Sequence, residues 1–191
     1  MRLHRKKFVS AVSPASRSNL GLRPTNAWRR FRPSFIPRRR AKGELRMNNS
    51  PKTMGTGRCL CGAVSYRYEG EPLTIGICQC DRCQRQSGSA FLIGVTFPRE
   101  AVTIEGNLAT YEATVDGKNR LWRHFCPKCG SAISITLDRY PEIRSMMGGT
   151  FDDKTRFNPS FSIWCSAGQP WLKLPEGMRC FADYPDGTFG A

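Results

Sequence analysis

The segment Cys126-Pro127-Lys128-Cys129-Gly130 decides how this chain can fold, because it brings two thiols together around a tight turn. Pro127 favours the turn, and Gly130 can adopt the left-handed conformation that lets backbone N–H groups point at sulfur. Two cysteines this close are poor disulfide partners but good ligands for one metal ion. The segment therefore predicts half of a thiolate-ligated zinc site, and the other half must come from elsewhere in the chain.

Cys59 and Cys61 are the best candidates for that other half. Alternate residues of a strand face the same way, so in a strand these two cysteines would present both thiols on one side. With Cys126 and Cys129 they predict a closed tetrahedral site that joins two distant parts of the chain and stabilises the fold. An all-thiolate set favours zinc over calcium or magnesium, although an iron centre has similar ligands.

A second group, Cys78, Cys80 and Cys83, supplies three more thiols from one short segment. Three protein ligands with one open position are typical of catalytic zinc, so we predict a reactive site here. The alternatives are one structural cluster of all seven cysteines, or a second zinc whose fourth ligand is only water. Cys165 and Cys180 bring the total to nine, an odd number that precludes a complete disulfide framework, and we expect both to be small buried apolar residues.

Most of the positive charge lies outside the cysteine-containing region. The formal charge of the chain is +15, but residues 1–54 contain 15 Lys/Arg and one acid, whereas residues 55–191 contain 15 and 14. We predict a disordered Arg-rich leader over 1–54 and a zinc-binding domain over 55–187. The leader could be a transit peptide, a basic nucleic-acid-binding tail, or translated sequence upstream of a true start at Met47 or Met54.

Apolar runs in this sequence are too short for a signal-peptide core or a membrane span, so we expect neither secretion nor membrane insertion. The predicted location is the cytoplasm, with import into an organelle if the leader is a transit peptide. The oligomeric state is not indicated by any pattern.

Short β-branched or aromatic runs predict a mostly β fold. Asp116-Gly117 is a strong hairpin signal, and Asp81–Gln86 is the one plausible helix, with Cys83 on its first turn beside Cys80. Strands at this spacing favour a small antiparallel sandwich or folded sheet over alternating βαβ units. The predicted strands are Ala63–Tyr68, Leu73–Cys78, Phe91–Phe97, Val102–Glu105, Leu108–Ala113, Arg120–Phe125 and Ala132–Leu137.

These motifs resemble the glutathione-dependent formaldehyde-activating family, which also includes the domain of centromere protein V. The resemblance covers about residues 55–187, including Pro170-Trp171 and Tyr184-Pro185, and is specific because three cysteine groups occur in order at suitable separations. The motifs that carry it are Gly57-Arg58-Cys59-Leu60-Cys61-Gly62-Ala63-Val64, Cys78-Gln79-Cys80-Asp81-Arg82-Cys83, Gly88-Ser89-Ala90-Phe91 and Phe125-Cys126-Pro127-Lys128-Cys129-Gly130-Ser131.

The resemblance implies an Mss4-like, mostly antiparallel β fold with two zinc ions. It implies a carbon–sulfur lyase that acts on S-hydroxymethylglutathione, the adduct of glutathione and formaldehyde. The implied ligands are those argued above, with a structural zinc at Cys59, Cys61, Cys126 and Cys129 and a catalytic zinc at Cys78, Cys80 and Cys83.

The sequence departs from the family pattern at two positions. Gln79 stands where the family often has His between the first two catalytic-site cysteines, and Ser162 precedes Ile163-Trp164 where the family often has another His. If either His transfers a proton in the family, this chain uses another group or water. Three thiolates on a zinc ion also weaken its Lewis acidity, so we expect the open position to accept the sulfur of a substrate thiol rather than to generate hydroxide.

Other residues have weaker signals. His124 could support a zinc ligand through its position two residues before Cys126, but a packed strand residue is the more common outcome. Trp164 and Trp171 could line a substrate pocket, although we favour the core for both. Arg82 and Arg85, close to the three cysteines, could bind a substrate carboxylate or could simply lie on a solvated helix face. Ser87, Gly88 and Ser89 could donate hydrogen bonds near the same site.

Two classes of function remain open. One is a zinc enzyme acting on small thiol adducts, which we favour, and the other is a non-catalytic zinc-binding module whose basic leader binds nucleic acid or another partner. The near-balanced charge of residues 55–191 makes nucleic acid an improbable partner for the folded domain itself.

Overall fold

A computed structural model describes residues 53–115 and 117–184. Nearly all of the predicted leader, together with Asp116 of the predicted hairpin and Pro185, lies outside these residues. The leader and its boundary with the domain therefore stay predictions. Within the described residues, no helix is both long enough and apolar enough to cross a membrane.

The described part of the chain is mostly β, as the sequence predicts. It contains eleven strands and one α-helix, α1 (Asp81–Ser87), with three short 3-10 turns between strands. The strands are β1 (Met54–Arg58), β2 (Ser65–Glu69), β3 (Thr74–Cys78), β4 (Leu92–Pro98), β5 (Val102–Glu105), β6 (Ala109–Val115), β7 (Asn119–Phe125), β8 (Ala132–Leu137), β9 (Ile143–Met147), β10 (Phe161–Ile163) and β11 (Arg179–Cys180).

All seven predicted strands are present as β2 to β8, with β5 and β8 matching at both ends and the other ends shifted by at most two residues, and four strands were missed. The missed strand β1 shows why. Its glycines argue against a strand, but a Cβ at Gly55 would lie 2.2 Å from the Tyr68 hydroxyl, and one at Gly57 would lie 2.3 Å from the Tyr66 ring. The tyrosine rings of the paired strand β2 occupy the space that side chains on β1 would need, so glycine is required there.

The strands form two sheets. A three-stranded sheet has the order β1-β2-β5, and an eight-stranded sheet has the order β11-β10-β3-β4-β9-β8-β7-β6. The predicted β6–β7 hairpin is confirmed by an antiparallel ladder that runs from Ala109 opposite Phe125 to Val115 opposite Asn119. Pairing is antiparallel throughout except at β10, which lies parallel to both β3 and β11.

The main core fills the space between the two sheets. Tyr68 from β2 lies 5.0 Å from Phe97 of β4 and 5.3 Å from Phe151, measured between ring centroids. Val95, Phe97 and Met146 on the large sheet are fully buried in this cluster. Burial of each such aromatic or aliphatic side chain contributes about 1.5–3 kcal/mol, so this cluster is the main source of hydrophobic stability.

A smaller core lies on the opposite face of the large sheet. Side chains alternate between faces along a strand, so Leu92 of β4 and Met147 of β9 point away from the main core. Both pack with Cys83 of α1 and Ile135 of β8 in this second cluster. Helix α1 therefore covers a face of the sheet that the three-stranded sheet does not reach.

Candidate metal centres

The first cysteine pair lies in a turn after β1 and not in a strand, so the predicted strand geometry for Cys59 and Cys61 was wrong. The turn is closed by a hydrogen bond from the Cys59 N–H to the Val64 carbonyl at 2.9 Å, and the Val64 N–H donates to Cys59 Sγ at 3.3 Å. Gly62 follows the second cysteine with a φ of 75°, a conformation that favours glycine. The turn brings the two sulfurs to 3.6 Å from each other.

The second pair is held by an equivalent turn after β7, as its sequence predicts. The Cys126 N–H donates to the Ser131 carbonyl at 2.9 Å, the same five-residue offset as in the first turn. Gly130 follows the second cysteine with a φ of 73°. The Ser131 hydroxyl lies 3.2 Å from Cys129 Sγ and lowers the pKa of Cys129 to about 5, with help from the Ser131 backbone N–H. It also accepts the Leu60 N–H at 3.1 Å, which ties the two turns together.

These two turns bring four thiols together although they are far apart in the sequence. The sulfur atoms of Cys59, Cys61, Cys126 and Cys129 all lie within 4.8 Å of one another, and Cys61 Sγ is 3.8 Å from Cys126 Sγ. Four sulfurs at about 2.3 Å from a tetrahedral ion, the zinc–thiolate distance, are separated from each other by about 3.8 Å. The donor type, number and spacing therefore fit a closed four-coordinate metal site.

The second group of thiols lies where β3 meets α1. Cys78 is the last residue of β3, Cys80 precedes the helix as its N-cap residue, and Cys83 lies in the first helical turn. Their sulfur atoms also lie within 4.8 Å of one another. Cys83 is buried in the smaller core, whereas Cys78 and Cys80 are partly exposed. This group offers three ligands to a metal ion and keeps one side accessible.

The three thiols lie close enough to form hydrogen bonds with one another, and these bonds shift their pKa values in different directions. Hydrogen bonds with Cys78 and Cys83 hold the pKa of Cys80 far below its usual range, whereas hydrogen bonds with Cys78 and Cys80, together with burial, raise the pKa of Cys83. The hydrogen bond with Cys80 raises the pKa of Cys78 to about 11. The three thiols therefore differ in their affinity for a proton, and Cys80 holds its proton least tightly.

The two positions that depart from the family pattern touch each other. Gln79 is buried between the cysteines that flank it, and its Nε2 donates a hydrogen bond to the hydroxyl of fully buried Ser162 at 2.9 Å. The Gln79 N–H also donates to the Ile163 carbonyl at 3.1 Å. Neither an amide nor a hydroxyl exchanges protons readily near neutral pH, so this pair is unsuited to act as an acid or base.

The remaining polar candidates contact other parts of the chain. His124 lies between Thr110 and Thr136, with ring nitrogens 3.1 Å and 2.9 Å from their hydroxyl oxygens, and is a packed strand residue. Arg82 donates to the Thr114 carbonyl at 3.1 Å, and Arg85 pairs with Asp81 on the helix surface at 3.4 Å. The hydroxyls of the loop after α1 are also engaged locally, with Ser87 bonded to the carbonyls of Cys83 and Phe91 and Ser89 bonded to that of Phe91.

The predicted core position of Trp171 was wrong, because its side chain is 70% exposed. Trp164 is half-buried, with its ring edge-on to Tyr184 at 6.1 Å between centroids. It follows β10 directly and is the one non-glycine residue with a positive φ, 57°, among residues 53–115 and 117–184. A pocket role for Trp164 stays a prediction.

Cys165 and Cys180 form a disulfide, which corrects the expectation that they are buried apolar residues. Cys165 is half-buried and Cys180 is exposed. An odd number of cysteines precludes a complete framework of disulfides but is compatible with one isolated pair. Their separation by 15 residues is compatible with a bond but does not distinguish it from two free thiols, so no local signal was available.

Three comparisons place the chain among known proteins. The family model described as glutathione-dependent formaldehyde-activating enzyme matches residues 54–167. A protein of Halomonas elongata, whose name assigns it provisionally to the same enzymes, is 29% identical over 138 residues, which cover 68% of this chain and 88% of that protein. A crystal structure of a Rhodobacter sphaeroides protein aligns with a TM-score of 0.41 at 23% identity, over 55% of this chain and 91% of the other.

Proposed function

The chain belongs to the glutathione-dependent formaldehyde-activating enzyme family, and from this premise we propose that it is a zinc-dependent carbon–sulfur lyase. Its substrate would be a thiol adduct such as S-hydroxymethylglutathione. In the synthetic direction the thiol sulfur bonds to the carbonyl carbon of formaldehyde and the thiol proton is transferred to the carbonyl oxygen. In the reverse direction the same carbon–sulfur bond breaks and the thiol is released.

The observation that carries this proposal is the difference in ligand number between the two cysteine clusters. Four thiols complete a tetrahedral shell, whereas the cluster of Cys78, Cys80 and Cys83 leaves room for one ligand from outside the chain. A zinc ion bound there would supply a mild Lewis acid that favours a fourth sulfur and stabilises a thiolate. We therefore assign the four-cysteine cluster to structure and the three-cysteine cluster to reaction.

The protein's own residues support such a site by shaping its surroundings. Leu92 and Met147 pack against Cys83 in the smaller core and exclude water from the inner side of the cluster. Gln79 holds the intervening peptide through its contact with Ser162, as described above. Because that pair cannot transfer a proton readily, the proton that leaves the substrate thiol would pass to solvent on the accessible side, next to Cys78 and Cys80, and solvent would in turn protonate the carbonyl oxygen.

The test is the variant Cys83→Ser, with Arg85→Gln as a matched control on the exposed surface of the same helix. We expect Cys83→Ser to lose one of two bound zinc ions per chain by native mass spectrometry and to lower adduct turnover by at least about a hundredfold. Arg85→Gln should keep both. Turnover can be followed at equilibrium by exchange NMR between free and hydroxymethylated glutathione, and the exchange rate without protein is subtracted to separate catalysis from the spontaneous reaction.

Several thiols should be compared in the same assay, because family membership alone does not identify the substrate. Native-rate turnover by Cys83→Ser after loss of one zinc would show that the three-cysteine cluster is not the reaction site. Finding one zinc or none in the unmodified protein would contradict the two-site proposal.

A further inference from the structure

Gln79 connects the peptide between two of the proposed ligands to the rest of the domain. It is only 4% exposed. Its N–H donates to the Ile163 carbonyl at 3.1 Å, its side chain donates to Ser162 Oγ at 2.9 Å, and its carbonyl accepts from the Gln84 side-chain amide at 2.6 Å. The segment that carries Cys78 and Cys80 is therefore restrained by β10 on one side and by α1 on the other.

The loop of residues 164–169, which follows β10, contacts the same glutamines. The Gln84 amide that bonds to Gln79 also donates to the Ala167 carbonyl at 2.9 Å, and the Gln169 amide donates to Gln84 Oε1 at 2.7 Å. A Cβ on Gly168 would lie 2.2 Å from Gln79 Oε1, so this loop packs directly on the Gln79 side chain. Movement of the loop would therefore change the restraints on Gln79.

This loop begins with a strained residue. Trp164 has a φ of 57° and a ψ of 40°, a left-handed conformation that a bulky side chain adopts only when the surrounding structure enforces it. A loop that starts in this way needs restraint from outside itself. The glutamine contacts supply part of it on the side of the metal centre.

The C-terminal segment supplies restraint on the other side. Cys165 is bonded covalently to Cys180, and its N–H donates to the Phe181 carbonyl at 3.0 Å. The Ser166 N–H and hydroxyl also donate to the Ala182 carbonyl, at 3.2 Å and 2.7 Å, so the disulfide adds a covalent link to a set of hydrogen bonds between the loop and this segment. Cys165 Sγ also lies 3.5 Å from Gln79 Nε2, which brings the disulfide into contact with the residue between the metal ligands.

We propose that Gln79 is a positioning residue of the three-cysteine cluster, and that the Cys165–Cys180 disulfide is a reducible tether that keeps the 164–169 loop packed against it. Reduction of the tether loosens the loop and, through Gln79, the cluster. The inference deepens the proposed function, on which it rests for the identity of the metal and of the thiol substrate. Under this proposal, the small thiols that reduce the disulfide also include the thiol substrate, so their concentration would affect how firmly the three-cysteine cluster is held.

The reduction uses two molecules of a small thiol. A thiolate attacks the exposed sulfur of Cys180, the bond to Cys165 breaks, and Cys165 leaves as a thiolate that takes up a proton. A second thiol displaces the first from Cys180, so that two protein thiols and one small-molecule disulfide are formed.

The experiment measures metal release to an excess of chromogenic chelator from the oxidised protein and from the double variant Cys165→Ser/Cys180→Ser. We expect two kinetic phases, a fast one from the three-cysteine cluster and a slow one from the four-cysteine cluster. In the double variant the fast phase should accelerate about tenfold, the usual size of an effect on residues that orient metal ligands, and the slow phase should not change. Equal fast phases in the two proteins would overturn the proposal, and so would a similar acceleration of both phases.

A second variant tests Gln79 without touching the disulfide. Gly168→Ala places a methyl group against Gln79 Oε1, whereas Gly149→Ala is a matched control with no atom within 4 Å of its new Cβ. Gly168→Ala should accelerate the fast phase alone, and Gly149→Ala should leave both phases unchanged. An unchanged fast phase in Gly168→Ala would show that Gln79 does not position the cluster.

If the double variant does not fold, the wild-type protein treated with a thiol-free phosphine reductant replaces it in the comparison with untreated protein. Release rates also separate this inference from the proposed function. Absence of lyase turnover in every protein would reject the proposed function, while the fast phase would still support or overturn the tether.

Discussion

The two cysteine clusters contain the same kind of ligand but are built in different ways. The four-cysteine cluster joins two turns that are 65 residues apart at Cys61 and Cys126, and two of its members belong to the main core between the sheets. The three-cysteine cluster comes from one short segment at the end of β3 and borders the smaller core on the opposite face of the large sheet. One cluster is nonlocal and closed, and the other is local and open on one side.

This difference indicates how stability and reactivity can be separated within one small domain. Loss of a ligand from the nonlocal cluster removes a connection between distant strands, and it exposes thiols in the main core. Loss of a ligand from the local cluster affects only the junction of β3 with α1. Each prediction below tests or sharpens this contrast, in order of decreasing expected effect.

The largest effect is expected for Cys126→Ser in the four-cysteine cluster. Binding of a structural zinc to such a site is worth about 10–16 kcal/mol, which is similar to or larger than the stability of a typical domain. We therefore expect loss of cooperative unfolding, measured by circular dichroism during heating. Cys80→Ser in the three-cysteine cluster is the matched variant and should still unfold cooperatively. Equal melting behaviour of the two variants would remove the distinction between the clusters.

Stepwise removal of metal should reveal the same order in the unmodified protein. Under increasing chelator, the proposed lyase activity should disappear before the secondary structure does, because three protein ligands release an ion more readily than four. Activity, metal content and far-UV circular dichroism should be measured on the same samples. Simultaneous loss of activity and structure would mean that the two sites are not independent.

Packing on the main-core side should affect stability but not catalysis. A Cβ at Gly57 would lie 2.3 Å from the Tyr66 ring and 2.6 Å from the Thr150 carbonyl oxygen, whereas one at Gly149 meets nothing within 4 Å. We expect Gly57→Ala to lower the free energy of unfolding by about 1–3 kcal/mol and Gly149→Ala to change it little. Denaturant titration gives the stability, and turnover per folded, metal-loaded molecule should be the same for both.

The smallest effect concerns the dependence of stability on pH. Burial, followed by the positive charges of Arg144 and Arg99, lowers the pKa of His124 below its usual value near 6.5. The unfolded chain then binds more protons at this residue, so its contribution to stability falls as the pH drops below about 6.5. His124→Gln should show a shallower loss of stability between pH 7 and 5 in urea titrations. An unchanged slope would mean that His124 is not protonated on unfolding in this range.

Short-range patterns in the sequence predicted much of this architecture correctly. The cysteine pair around Pro127 predicted its own turn, because proline and glycine restrict the backbone locally. The seven predicted strands were identified from residue type alone, since β-branched and aromatic side chains favour a pleated, half-buried surface. The family was recognised from cysteine groups whose order and spacing are local properties.

The errors occurred where distant residues determine local structure. Strand β1 was missed because its glycines are required by tyrosine rings on β2, and Cys59 and Cys61 lie in a turn rather than a strand because that turn pairs with the one after β7. Trp171 was placed in the core because a large aromatic residue is usually buried, but the surrounding chain leaves it exposed.

The sequence by itself determined which cysteines could act together and that one group had four members and the other three. Only the tertiary structure decided that the two groups border different cores on opposite faces of the large sheet. Alternate side chains of β4 and β9 point to opposite faces, but which core each face belongs to depends on the elements that cover it. It also brought Gln79, Ser162 and the Cys165–Cys180 disulfide together. Gln79 is more than 80 positions from each of the others, and no local pattern specifies a contact across that distance.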